Sequence, residues 1–247
     1  ITFGISGTGR VYTGNVSGNI SLYAYDGATW NGAISGDDSN INLGFTGNSV
    51  WNITSDAKQH VNKLTSSDAA SKRNFVNVGA GDITIDKYAG NTTFVFQHTA
   101  ENPADLTGGN VTIKSAVPSD ILSTGIGDGS EKEDVLGHAA STVYLQTAAD
   151  GINTEDSGLV NQVLDNLAKK LTYSAYVDGE RNLSGRVEIA EGLTSSSVAK
   201  YYSNITFNEK TGQAQKEEKI FNPYVGVMFG DEKADSAAGY KDVISGT

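Results

Sequence analysis

Short runs with strand character recur along the first half of the 247-residue chain at intervals of 17 to 24 residues, centred on Tyr12, Trp30, Trp51, Phe75, Phe94 and Val111. A step of about 20 residues is what one coil of a parallel β-solenoid consumes, two or three strands with their turns. Between these centres lie further segments, Ile20–Tyr25, Asn40–Leu43 and Asp82–Ile85, in which every second residue is apolar. Period-two alternation buries one face of a strand. Stacked coils would then pile equivalent side chains in columns, so apolar residues recur inward without any long apolar run. An antiparallel sandwich or barrel, with strands every 8–12 residues or so, matches the local pattern equally well. The paired segments Ala28-Thr29-Trp30-Asn31 and Ser49-Val50-Trp51-Asn52 favour true repetition.

Turn chemistry agrees. Asp26-Gly27, Gly47-Asn48 and Gly108-Gly109-Asn110 supply residues that accept a positive φ. None of these glycines opens a strand–GxGxxG–helix unit, so phosphate cradling has no support. With no cysteine, an exported chain of this length takes its stability from repeated backbone pairing or a large core, and thiolate metal sites are excluded. Twenty-nine acidic against 18 basic residues give a net charge of −11, which argues against a nucleic-acid partner and against an anionic membrane surface. No apolar run approaches the ~20 residues a spanning helix needs. The chain begins with Ile1 inside an alternating segment, which reads as a piece cut from something longer.

Around Val117-Pro118 the rhythm breaks, and residues 117–141 read as an exposed acidic loop or insertion. Its acidic centre, Asp128, Glu131, Glu133 and Asp134, is the expected contact element. Residues 142–247 then resume strand patterns around one helix. Leu159, Val160, Val163, Leu164, Leu167, Ala168 and Leu171 form an apolar stripe at helical spacing, predicting a helix over about 157–171. Asp156 or Ser157 is placed to cap it, and its job would be to cover the side or end of the solenoid. The expected fold is therefore all-β: a right-handed parallel β-helix over 1–116, with one packed helix and a β-rich C-terminal extension.

Two sets of residues carry a family resemblance. Gly47-Asn48-Ser49-Val50-Trp51-Asn52-Ile53, residues 58–64, Gly81-Asp82-Ile83-Thr84-Ile85 and residues 90–96 resemble the C-terminal coils of type V autotransporter passenger domains. Residues 171–183, 187–197, Ile205-Thr206-Phe207 and Thr211-Gly212-Gln213 are similar to a module of large adhesins of this kind. The resemblance implies a monomeric rod displayed outside a Gram-negative-type outer membrane, anchored by a C-terminal barrel beyond the residues given. The fragment itself would not insert into the membrane.

Catalytic chemistry finds little purchase. His60, His98 and His138 have no metal-ligand spacing, and no Gly-x-Ser-x-Gly elbow is present. A polysaccharide lyase or glycosidase on a solenoid needs carboxylates converging on one face. The candidates Asp37, Asp38, Asp56, Asp82, Asp86 and Asp105 fall mostly in turns, where Asp satisfies local backbone donors. Glu180-Arg181 reads as a structural ion pair. The expectation is thus a non-enzymatic adhesin or adhesin stalk, without catalytic residues, cofactor or metal, whose partner is a host or bacterial surface protein or glycan. A carbohydrate-active solenoid enzyme and a purely architectural stalk are the alternatives.

Overall fold

The computed structural model describes residues 1–37, 39–66, 73–117, 141–194 and 196–222. Strands β1 (Thr2–Ser6), β3 (Asn19–Tyr25), β5 (Asn40–Phe45), β7 (Gln59–Ser66), β9 (Ile83–Val95), β10 (Val111–Ala116) and β12 (Leu171–Tyr173) form one stack. In it, β3 pairs with β1 and β5, β7 joins β5 to β9, and β10 joins β9 to β12; every pairing is parallel. Strands β2 (Val11–Thr13), β4 (Thr29–Gly32), β6 (Val50–Ile53), β8 (Asn74–Asn77), the second half of β9, β11 (Ser141–Ala148) and β13 (Leu183–Ala190) form another parallel stack. Because β9 runs through the corner without interruption, the two stacks share one strand. The chain is all-β and solenoid-like, with a mainly parallel sheet that does not close.

The second stack explains why the tryptophans recur. Tyr12, Trp30, Trp51, Val76, Phe94, Leu145 and Val187 are successive register partners and point inward. Trp30 and Trp51 are fully buried, their rings 4.8 Å apart and within 8° of parallel. Each indole N–H donates to a glycine carbonyl in the preceding coil, Trp30 to Gly14 at 2.8 Å and Trp51 to Gly32 at 3.0 Å. A Cβ on Gly32 would lie 2.1 Å from the Gly14 oxygen and 2.4 Å from Trp30 Nε1, so the aromatic–x–Gly spacing of Trp30-Asn31-Gly32 is a steric requirement. One position outward, Asn52 donates to Asn31 at 2.7 Å and Asn77 donates to Asn52, a ladder of side-chain amides running along the stack.

Two of the expected markers differ from this column. Phe75 is one residue out of phase, Val76 being the inward partner of Trp51. Val111 belongs to the first stack, between Ile83 and Leu171. The next inward residue after Phe94 is Leu145, because loops of unequal length are spliced between strands whose registry is kept.

The first stack buries Leu22, Leu43, Leu64 and Tyr88 in one column and Val61, Ile85, Ile113 and Tyr173 in another. Strict alternation fails in three neighbouring strands. Between buried Val61 and Leu64, between Ile85 and Tyr88, and between Ile113 and Ala116, two consecutive residues face outward. The extra residue recurs in all three strands, so pairing continues on both sides of it. At the corner, the Tyr88 hydroxyl donates to the Thr142 carbonyl at 2.6 Å and accepts from the Thr92 N–H at 2.8 Å. Full burial pushes this phenol well above its ordinary pKa, which keeps the donor proton in place.

The expected turn residues take positive φ, 54° at Asp26, 80° at Gly27, 68° at both Gly47 and Asn48, and 99° at Gly108. The helix α1 spans Ser157–Ala168, and the Asp156 side chain caps it by accepting from Leu159 N at 3.0 Å. Its stripe, Val160, Val163, Leu164, Leu167 and Ala168, joins the same core as the strand columns. It ends before Leu171 because that backbone is taken by pairing with Val111. The strand that starts at Leu171 stops at Tyr173, followed by a 3₁₀ turn over Ser174–Tyr176. Direction then reverses: β14 (Ala199–Phe207) lies antiparallel on β13, and β15 (Ala214–Lys216) antiparallel on β14. Tyr173, Tyr176 and Phe207 pack together under this reversal.

Replacing Trp51 with Ala removes a fully buried ring, its stack on Trp30 and its hydrogen bond. The expected cost is about 3–5 kcal/mol, read as a lowered midpoint of chemical unfolding, with Phe94→Leu as a mild control.

Candidate functional site

The expected contact residues Asp128, Glu131, Glu133 and Asp134 lie outside the described residues, as do Asp38 and His138. The remaining candidate carboxylates are dispersed. Asp82 accepts from Asn110 N at 2.8 Å and ties two coils at a turn. Asp56 stands exposed in a bend. Asp37 lines a depression of about 330 Å³ with Ser35, Ser55, Lys58 and His60, and Asp105 lines one of about 480 Å³ with Asn166, Lys169 and Lys170. Among the described residues, no three His, Cys, Asp or Glu side chains gather where they could hold a metal ion. No helix among them is long and apolar enough to cross a membrane.

Asp86 alone of the described candidates sits on a strand, and it organises the outward surface of the first stack. His60 Nε2 lies 2.8 Å from its Oδ2 and Lys114 Nζ 2.7 Å from its Oδ1. Asp86 on β9 and Lys114 on β10 occupy the doubled outward step described above, and His60 faces outward on β7 just before buried Val61. Partial burial works to raise the Asp86 carboxyl, but hydrogen bonds and charge from Lys114 and His60 outweigh it and hold the group below its ordinary value. Beside this triplet Lys63 and Lys87 are direct register partners, both exposed, and no carboxylate pairs with either among the described residues.

A second charged cluster lies on the outward surface of the second stack. Glu188 on β13 is 1% exposed and holds Arg73 through two hydrogen bonds of 2.7 and 3.2 Å. Arg186 Nε donates to the same carboxylate at 2.6 Å. The Arg73 guanidinium lies 3.7 Å from the Tyr144 ring centroid, and Arg186 lies 4.4 Å from that of Tyr202. Nothing local in the sequence announced this cluster, since Arg73 and Glu188 are 115 positions apart. Its arrangement is that of a clamp: one buried carboxylate fully engaged by two forked cations, with no free edge for a substrate.

Glu180 and Arg181 do not form the expected ion pair with each other. Glu180 accepts from the Tyr173 hydroxyl at 2.9 Å, whereas Arg181 stacks at 3.6 Å on Tyr176 and reaches Glu209 at 3.4 Å. Adjacent residues point to different sides, so each finds its partner on the reversed end of the stack. Burial and the neighbouring Glu180 both push the Tyr173 phenol upward.

No family model, no curated protein and no solved structure matches this chain.

Two outcomes follow. Because the Asp86 pKa is depressed on folding, its contribution is present above the ordinary carboxylate range and is lost as pH falls through the lowered value. Asp86→Asn should therefore lower the melting temperature at neutral pH, with the gap from the parent closing as the solution is acidified. Glu188→Gln leaves Arg73 and Arg186 side by side without their anion, and should cost about 3 kcal/mol in chemical unfolding; the double variant Glu188→Gln with Arg73→Gln should recover part of it.

Proposed function

We propose that this chain is a right-handed parallel β-helix from the surface-displayed passenger of a type V autotransporter, and that it acts as a non-enzymatic adhesin or adhesin stalk. The observation that carries the reading is the stacking itself: in-register parallel coils present outward side chains in straight rows on a rigid frame. Such a frame needs no disulfide, in keeping with the absence of cysteine. Right-handedness is the expectation for parallel strands joined by crossovers, about 98% of which take that hand. The motif resemblance around Trp51, Ile83 and Phe94 supports the family assignment. Rows of repeated side chains suit attachment through many weak contacts, where linkage multiplies small affinities. A host or bacterial surface protein or glycan is the partner class, and the placement is the cell surface.

The dispersal of Asp37, Asp56, Asp82, Asp86 and Asp105, with Asp82 and Asp86 engaged in turn and ion-pair roles, favours binding over hydrolysis. Displaying the chain on a non-adherent bacterium should raise attachment to epithelial cells or to neighbouring bacteria above that of the same strain with an inert fusion. Equal attachment against a broad panel of surfaces, or turnover of any polysaccharide by the purified chain, would overturn this reading.

A further inference from the structure

The strands of the first stack carry four groups able to bear positive charge, His60, Lys63, Lys87 and Lys114, and one carboxylate, Asp86, among the described residues. That balance is the reverse of the whole chain, which is net negative by 11. Lys63 and Lys87 face each other across a parallel pair, where strands lie about 4.8 Å apart. Like charges in that position oppose folding. The column containing them continues as Ser21, Asn42, Lys63, Lys87 and Ser115, and Asn62 donates to Asn42 at 2.8 Å beside it.

Two residues further along β3, the same surface changes from cationic to aromatic. Tyr23 pairs with Gly44 of the next coil, and a Cβ at Gly44 would lie 2.4 Å from Tyr23 Cδ1 and 2.8 Å from Cε1. The tyrosine ring thus occupies the space a side chain would fill and leans over the neighbouring strand. Tyr25, on the same side of β3, has its ring 5.9 Å away and within 5° of parallel, and keeps 37% of its surface exposed. A pair of parallel aromatic rings beside amides, hydroxyls and ammonium groups that have no carboxylate partner among the described residues is a surface that offers carbon–hydrogen stacking, hydroxyl recognition and anion pairing together.

We propose that the outward surface of the first stack binds a linear acidic polysaccharide, one bearing sulfate or uronate groups. Tyr23 and Tyr25 take a sugar ring, Asn42 and Asn62 its hydroxyls, and Lys63 and Lys87 the acidic groups of the following residues. A pyranose ring spans roughly one inter-strand step of about 4.8 Å, so successive sugars meet successive coils. A duplex nucleic acid fits less well, because its dense, extended charge would meet the net negative remainder of the chain. This deepens the adhesive reading by naming a ligand, and binding by the isolated protein is separable from cell attachment: either can fail alone.

The test uses the full chain with heparin-derived and polygalacturonate oligosaccharides, with dextran as the neutral control and duplex DNA as a polyanion control. The parent should bind at least one acidic oligosaccharide, more weakly as salt rises, and neither dextran nor DNA with comparable affinity. Lys63→Gln with Lys87→Gln should weaken binding at least tenfold and flatten its salt dependence, while the melting temperature holds or rises because a like-charge contact is gone. Tyr23→Ala should weaken binding several-fold and leave the salt dependence unchanged. Absence of binding to both acidic probes, equal binding to DNA, or undiminished binding by the lysine variant would each overturn the proposal.

Discussion

Parallel, in-register pairing between consecutive coils is the constraint on which the rest depends. Once Trp30 must sit on Trp51, and Leu22 on Leu43 on Leu64, the other side chains in those strands follow by parity, except across the doubled outward step of β7. Inward columns become apolar, outward columns become rows, and a buried polar group finds its nearest candidate partners in the neighbouring coils. The Trp indoles, the Asn31–Asn52–Asn77 amides and the Tyr88 hydroxyl are satisfied in this way. Stability is consequently distributed along the stack rather than concentrated in a globular centre.

How far this was legible in the sequence depended on how local each signal was. The strand period, the Asp26-Gly27 and Gly47-Asn48 turns and the capped helix were readable because each is written within a few residues. The tryptophan column was readable where coils are of similar length, and was lost at Phe75 and Val111, where loop length varies while registry does not. The doubled outward step was present as a repeated spelling, Val61-Asn-Lys-Leu64, Ile85-Asp-Lys-Tyr88 and Ile113-Lys-Ser-Ala116, hidden by the assumption of strict alternation. The Glu188 clamp could not have been found, since its cations meet only after two further coils have been laid down between Arg73 and β13.

Charge shows the same division between composition and placement. A net value of −11 describes the molecule at a distance, and argues correctly about long-range fields. It does not describe the first stack, where, among the described residues, the strands' only carboxylate is already occupied by His60 and Lys114 and no carboxylate pairs with the neighbouring Lys63 and Lys87. A fold that sorts residues into columns can thus carry a locally cationic surface inside an acidic chain.

The reversal at β14 bears on growth of the stack. A parallel coil adds only to an open strand edge, and the edge of β13 is taken by an antiparallel neighbour. The edge of β12 is blunted as well, because Tyr173 N–H donates to the Gly212 carbonyl and Gln213 Nε2 reaches the Leu171 carbonyl. Among the described residues, neither β12 nor β13 therefore leaves an open edge for head-to-tail addition of a parallel coil, the standing hazard of any repetitive β-structure.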